Sequence, residues 1–216
     1  MGSSEQPIRI AGSELGEKRH ICAFFRGPEE EYRVLLPFIR EGFERGEKAF
    51  HVVKPSLRED HVSRLEAVGI DVNRAEQDGQ LKLCDWEEAY FPDGRFDQHR
   101  MLAMWQENLW GAKKGGFFRT RLVAHMEWSL ENRQGVNDVL EYEAGFELMH
   151  KGHPDPVICT YDLNQYNGAL LIDVMRTHPM IMIGGILQEN PFFVPPEEFL
   201  SQLRSRKGHE SPPASH

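Results

Sequence analysis

The sequence predicts an α/β fold, a mostly parallel central sheet flanked by helices. Three observations predict it. Short, near-continuous apolar runs recur along the chain, each is followed by a segment with helical apolar spacing, and glycine or proline marks the joints. Strands read as unbroken apolar runs when helices cover both faces of a parallel sheet. The chain has 216 residues, 40% of them hydrophobic and 27% charged, which suits one globular domain.

The first strand is the run His20-Ile-Cys-Ala-Phe-Phe25, stopped by Arg26, Gly27 and Pro28. Val34, Leu35, Phe38, Ile39 and Phe43 then predict a helix over 29–45, closed by Gly46 and kinked or started late by Pro37. A second strand is expected over 49–53 and a helix over 57–68, stopped by Gly69. Further strands are expected over 80–84, 119–126, 156–161 and 180–184, alternating with helices over 96–112, 135–150 and 168–177. Pro195 and Pro196 open a short last helix, because proline is tolerated in a first turn. Residues 1–17 read as a flexible lead-in and 204–216 as a frayed tail, leaving 18–203 as the domain.

Charge and motifs exclude several functions. Asp and Glu number 34 against 25 Lys and Arg, a formal net charge of -9, and no basic run offers a local exception. Direct nucleic-acid binding is not expected of such a surface. No apolar stretch reaches the roughly 18 residues of a membrane span, and 1–17 lack the apolar centre of a secretory signal. Cys22, Cys84 and Cys159 are too sparse and scattered for a disulfide framework. The expected location is therefore the cytoplasm. No C-x-x-C, G-x-S-x-G, H-E-x-x-H or EF-hand pattern occurs.

Ligands of open parallel sheets bind beyond the carboxyl ends of the strands. That rule singles out the residues after Phe25, Val53, Cys84, His125 and Tyr161. The turn from Arg26 to Tyr32 has one glycine, no lysine and three carboxylates, Glu29, Glu30 and Glu31. A carboxylate repels a phosphate by about 4 kcal/mol at 4 Å and intermediate dielectric, so this turn should not hold ATP as a P-loop does. Either the three acids simply suit a helix N-terminus, or Glu31 and Tyr32 line a site. His125 and Glu127, two apart at a strand end, share a side. They can be ligand contacts, an acid–base pair, a metal half-site, or a pair satisfied within the fold. Phe25, Trp128 and Tyr161 can wall a pocket for an organic molecule or pack as core rings. His20, Cys22, His125 and Cys159 can supply soft metal ligands, or the cysteines can be small buried residues.

Several strings together resemble one family. They are the run 20–25, Glu30-Glu-Tyr-Arg-Val-Leu-Leu-Pro-Phe-Ile39, Gly46-Glu47, His125-Met-Glu-Trp128, Val157-Ile-Cys-Thr-Tyr-Asp162, Thr177-His-Pro179 and Gln188-Glu-Asn-Pro191. They resemble the MEDS domain, the methanogen/methylotroph DcmR sensory domain, from about His20 to Leu203. The resemblance implies a RecA-like three-layer sandwich without a functional P-loop, related to RecA-type and circadian-clock ATPases. It implies a non-catalytic sensor of hydrocarbon derivatives, often placed beside DNA-binding, kinase or anti-sigma modules. Such ATPases end the P-loop helix with a Gly-Glu pair similar to Gly46-Glu47. Counting back puts their lysine at Glu31, their Ser/Thr at Tyr32 and a second acidic position near His125. No output module is recognisable in the sequence.

The expectation is a domain without a cofactor that binds a small organic ligand. Phe25, Trp128 and Tyr161 would wall the site, His125 and Glu127 would orient the ligand, and Glu31 and Tyr32 would close it. Output would run through a partner protein or the chain's own oligomeric state. Two rivals remain. One is a nucleotide enzyme or switch with an altered P-loop, needing a cation such as Arg26 or Arg119. The other is a metal or redox sensor using His20, Cys22, His125 and Cys159.

Overall fold

In the computed structural model, which describes residues 7–111 and 115–210, regular structure begins earlier than the sequence predicts. Ile8–Ile10 (β1) and Ser13–Leu15 (β2) pair as an antiparallel hairpin. Its turn uses Ala11 and Gly12, both at positive φ. Ile8, Ile10 and Leu15 are buried. Those residues are therefore not a loose lead-in: three apolar side chains anchor them, and each is worth roughly 1.5–3 kcal/mol when fully buried. Residues 1–6 lie outside the described residues.

The main sheet takes its strands from the apolar runs. They are β3 (His20–Phe25), β4 (Lys48–Val53), β5 (Leu81–Asp85), β6 (Thr120–His125), β7 (Val157–Asp162), β8 (Met180–Ile183) and β9 (Ile186–Glu189). Their order is β5-β4-β6-β7-β3-β8-β9. Every pairing is parallel except β8 with β9. β7 is central and β3 lies beside it, with Ile21 opposite Ile158 of β7 on one side and Met180 of β8 on the other.

The helices are α1 (Pro28–Glu44), α2 (Arg58–Ala67), α3 (Val72–Gln77), α4 (Trp86–Tyr90), α5 (Gln98–Gly111), α6 (Val139–His150), α7 (Gly168–Thr177) and α8 (Pro196–Glu210). α1 runs through Pro37 without a late start. Asp71 caps α3 and Asn167 caps α7 through their side chains. α8 continues to residue 210, so part of the expected tail is helical, while 211–216 lie outside the described residues. The expected end of the fifth helix, residue 112, is also outside them.

Strand alternation divides the core into two layers. Ile21, Ala23, Phe25, Val53, Val123 and Ile158 pack with Phe38 and Ile39 of α1, Leu65 of α2, Val72 of α3 and the hairpin. Cys22, Phe24, Phe50, Val52, Cys159 and Tyr161 pack with Tyr90 of α4, Trp105 of α5, Phe146 of α6 and Val174 of α7. α8 lies over α6, with Phe199 and Leu203 against Ala144. The result is the helix–sheet–helix sandwich the sequence predicts.

Polar groups fix how α1 sits. Glu47 follows Gly46 at the end of α1 and is 1% exposed, between two buried guanidinium groups. Its Oε1 accepts from Arg119 Nη1 at 2.8 Å and its Oε2 from Arg121 Nε. Arg121 Nη1 donates to Phe38 O at 2.6 Å and lies 3.0 Å from Glu41 Oε2. Gly42 makes room for it: a Cβ there would meet Arg121 Cδ at 2.7 Å. No helix among the described residues is long and apolar enough to cross a membrane.

Candidate functional site

At the carboxyl ends of β3, β4 and β6, the first turn of α1 meets the sheet. The turn is sharp because Gly27 precedes the helix at φ 87, a conformation that favours glycine. The three acids then diverge. Glu29 pairs with Arg64 of α2, which holds its carboxyl below the usual range. Glu30 turns back, and its Oε2 accepts from the Arg26 amide at 2.8 Å. Glu31 points inward, its Oε1 3.0 Å from His125 Nε2.

His125 is 2% exposed. Burial alone pulls an imidazole down. Here the Glu31 carboxylate, through charge and hydrogen bonding, and Glu127 behind it lift the ring to about 9. The Lys54 amide also points at His125 Nδ1, at 3.3 Å, a contact that suits a neutral ring only. Two carboxylates outweigh one long amide contact, so the imidazolium is favoured at neutral pH. Burial raises the Glu127 carboxyl despite His125, and its Oε2 has no hydrogen-bond partner among the described residues. His125 and Glu127 meet because Met126 turns the chain into a 3-10 segment, Glu127–Leu130, not because the strand continues.

Next to this pair runs a neutral chain. Tyr32 Oη is 2.7 Å from His61 Nδ1, and His61 Nε2 is 2.9 Å from His51 Nδ1. Burial lowers His51 to about 3 and His61 well below its ordinary value. If Tyr32 donates to His61, then His61 donates to His51. His51 Nε2 then has no partner among the described residues.

The structure brings Glu31, Tyr32, His125 and Glu127 together and places Phe25 on their face of the sheet. It does not bring Trp128 and Tyr161 with them. Trp128 stacks on Tyr90 at 4.3 Å in the opposite core layer, and Tyr161 packs there against Phe24 and Tyr166. Of the three rings expected to wall a site, only Phe25 lies on this face of the sheet, because β7 alternation turns Tyr161 to the other face and Trp128 packs in that opposite core layer. Arg119, one of the two cations offered for the nucleotide reading, is bound to Glu47 at the start of β6, the wrong end for phosphates. Sequence reasoning missed His51 and His61; a histidine inside the apolar β4 run was the available signal.

The metal-ligand expectation is also redrawn. His125 lies on the α1 face, away from His20 and Cys159. Cys22 Sγ donates to Met180 O at 3.6 Å. His20 and Cys159 do meet, 3.6 Å apart, in the company of Glu143 and His178. Glu143 was legible in principle, since the buried stripe of α6 reads Val139, Tyr142, Glu143, Phe146, Glu147, His150.

Comparison with known proteins adds three findings. The family described as MEDS, the methanogen/methylotroph DcmR sensory domain, matches residues 19–179. The chain is 29% identical over 172 residues to the transcriptional repressor DcmR of Methylorubrum extorquens, covering 79% of this chain and 62% of the repressor. The chain thus spans less than two thirds of that relative's length. A KaiC-like protein from the hyperthermophilic archaeon Pyrococcus horikoshii shares the fold, with a TM-score of 0.54 and 13% identity over 80% of this chain and 73% of that one.

Proposed function

We propose a function from one premise: the chain belongs to the methanogen/methylotroph DcmR sensory domain family. It acts as a non-catalytic sensor that binds a small, partly apolar organic molecule at the carboxyl edge of the sheet. The observation that carries this reading is the buried Glu31–His125 pair, facing the unpartnered Glu127 Oε2. These groups offer a donor and acceptors to one polar end of a ligand, and the core layer behind them, with Phe25 and Val53, is apolar. Binding separates the pair or tightens it, and the acidic first turn of α1 is the part that moves.

Two features argue against nucleotide. Glu30 already accepts from the Arg26 amide, where a P-loop would offer amides to phosphate. Glu31 adds a second negative charge at the same turn. The repressor relative supports a role in transcription, exercised in the cytoplasm through a partner protein or through the chain's own assembly. The net charge of -9 favours leaving DNA contact to that partner.

A thermal-shift screen tests the reading. Small alcohols, amines, halogenated one-carbon compounds and short hydrocarbons are set against ATP and ADP with magnesium. A ligand at about a hundred times its Kd adds about 2.7 kcal/mol, a readily visible shift. The expected result is a shift with an organic compound that Glu31→Gln and His125→Ala lose while still unfolding cooperatively. A magnesium-dependent ATP shift, or a full response in both variants, overturns it.

A further inference from the structure

Four ligand-type side chains converge on the other face of the sheet, toward the amino ends of the strands. His20 opens β3, Cys159 lies on neighbouring β7, and His178 lies two residues before the start of β8 on the other side of β3. Glu143 comes down from α6. All four are buried, and one ligand atom of each lies within 4.8 Å of every other.

Three of the six separations are those of ligands around a common centre, and all six lie within 4.8 Å. His20 Nε2 is 3.6 Å and His178 Nε2 3.4 Å from Glu143 Oε2, and Cys159 Sγ is 3.6 Å from His20 Nε2. Bonds of about 2.0–2.3 Å at tetrahedral angles separate nitrogen from oxygen by about 3.4 Å and nitrogen from sulfur by about 3.6 Å. The ring tautomers fit as well. His178 Nδ1 is 2.9 Å from Val174 O, and a carbonyl only accepts, so the proton is on Nδ1. The lone pair of neutral Nε2 then faces a carboxylate oxygen. Neither His178 Nε2 nor Glu143 Oε2 has a hydrogen-bond partner among the described residues. A buried lone pair aimed at a carboxyl oxygen calls for a metal cation or a shared proton between them.

The surroundings complete the pattern. His20 Nδ1 is 3.1 Å from Glu147 Oε2, the carboxylate–imidazole arrangement that orients metal-binding histidines. Tyr161 donates to Glu143 Oε1 at 3.2 Å, leaving Oε2 to ligate. One thiolate and one carboxylate balance a divalent charge where an unbalanced one would be costly. A surface pocket of about 350 Å³, lined in part by Glu147, His150 and Pro179, lies beside the cluster.

We propose that His20, Glu143, Cys159 and His178 bind one divalent transition-metal ion of the zinc class in a closed tetrahedral site. Two nitrogens, a sulfur and an oxygen suit that borderline-soft ion. On binding, the Cys159 thiol, and the Glu143 carboxyl where it is protonated, give up their protons to solvent as the sulfur–metal and oxygen–metal bonds form. The ion ties β3, β7 and the entry to β8 to α6. This inference does not depend on the ligand proposed at the Glu31–His125 edge.

The test uses the full chain without a histidine tag, stripped with chelator and titrated with cobalt(II), with zinc in competition. The expected result is one equivalent bound, tetrahedral d–d bands, and a sulfur-to-cobalt charge-transfer band that zinc abolishes. Cys159→Ser should lose the charge-transfer band and Cys84→Ser should keep it. Glu147→Gln should weaken binding by about 10–100-fold. Near-UV circular dichroism checks that each variant is folded. If His178→Ala does not fold, the Cys159→Ser spectrum still decides. No stoichiometric cobalt in folded wild-type chain, or a charge-transfer band surviving Cys159→Ser, overturns the site and leaves a proton between His178 and Glu143.

Discussion

Glu31 and His125 form an ion pair that a protein of ordinary surface chemistry would leave in water. Its charge state makes it measurable. His125 titrates near 9 in the folded chain against 6.5 for a free histidine. A group raised in this way stabilises fully below about pH 6.5 and loses that contribution as pH rises through 9. Melting temperature should therefore fall between pH 7 and pH 10, and fall less in Glu31→Gln. The variant comparison is needed because the buried carboxyls of Glu143 and Glu147, both raised from 4.5 to about 8, also cost stability as pH rises from about 4.5 to 8, which overlaps the lower part of that range. Equal pH profiles in wild type and Glu31→Gln would mean that the pair is not charged. At this scale the sequence was half legible. Glu31 and His125 stood out because both fall at strand ends, where a simple topological rule points. His61 and His178 did not, because a histidine on an amphipathic helix or before a proline looks the same whether solvated or buried. Their partners lie far off in sequence, and only the fold brings them in.

Elements were legible in proportion to their length. The six-residue strands β3, β4, β6 and β7 carry continuous apolar runs, and α7 begins and ends where its spacing and its stop predict. α3, α4 and β9 were missed because four to six residues hold too few apolar positions to show a period. The hairpin was missed for the same reason, its alternation lasting three residues on each arm. α1 shows what the pattern does not reveal. Its apolar stripe says which side faces the sheet, but Gly42 and the Arg121 guanidinium decide how closely it sits. Gly42→Ala should push that guanidinium off Glu47 and Phe38 O, at a cost of about 1–3 kcal/mol typical of overpacking. Urea denaturation should show a lower midpoint with an unchanged slope. An unshifted midpoint would mean that Arg121 has room to move aside.

At the scale of the whole molecule, the three-layer arrangement followed from the sequence because parallel connections are few once strands and helices alternate. What did not follow was where the domain begins. The hairpin belongs to the α1 layer: Arg45 Nη1 donates to Pro7 O at 3.0 Å, and Ile8, Ile10 and Leu15 enter that core. A chain starting at residue 18 should melt several degrees below the full chain, and the loss should match in near-ultraviolet and far-ultraviolet dichroism. An unchanged melting temperature would mean that the hairpin covers the core without stabilising it. The strand order carries one more consequence. β3 is the first strand of the main sheet to be synthesised, and both its neighbours are among the last. While the ribosome is still making the middle of the protein, His20–Phe25 has two bare edges and nothing native to pair with. Parallel strands so far apart close slowly, and an unpaired apolar strand invites wrong partners. The nascent chain therefore spends most of its synthesis dependent on whatever shields that strand, and the fold closes only when β7 and β8 emerge to enclose it.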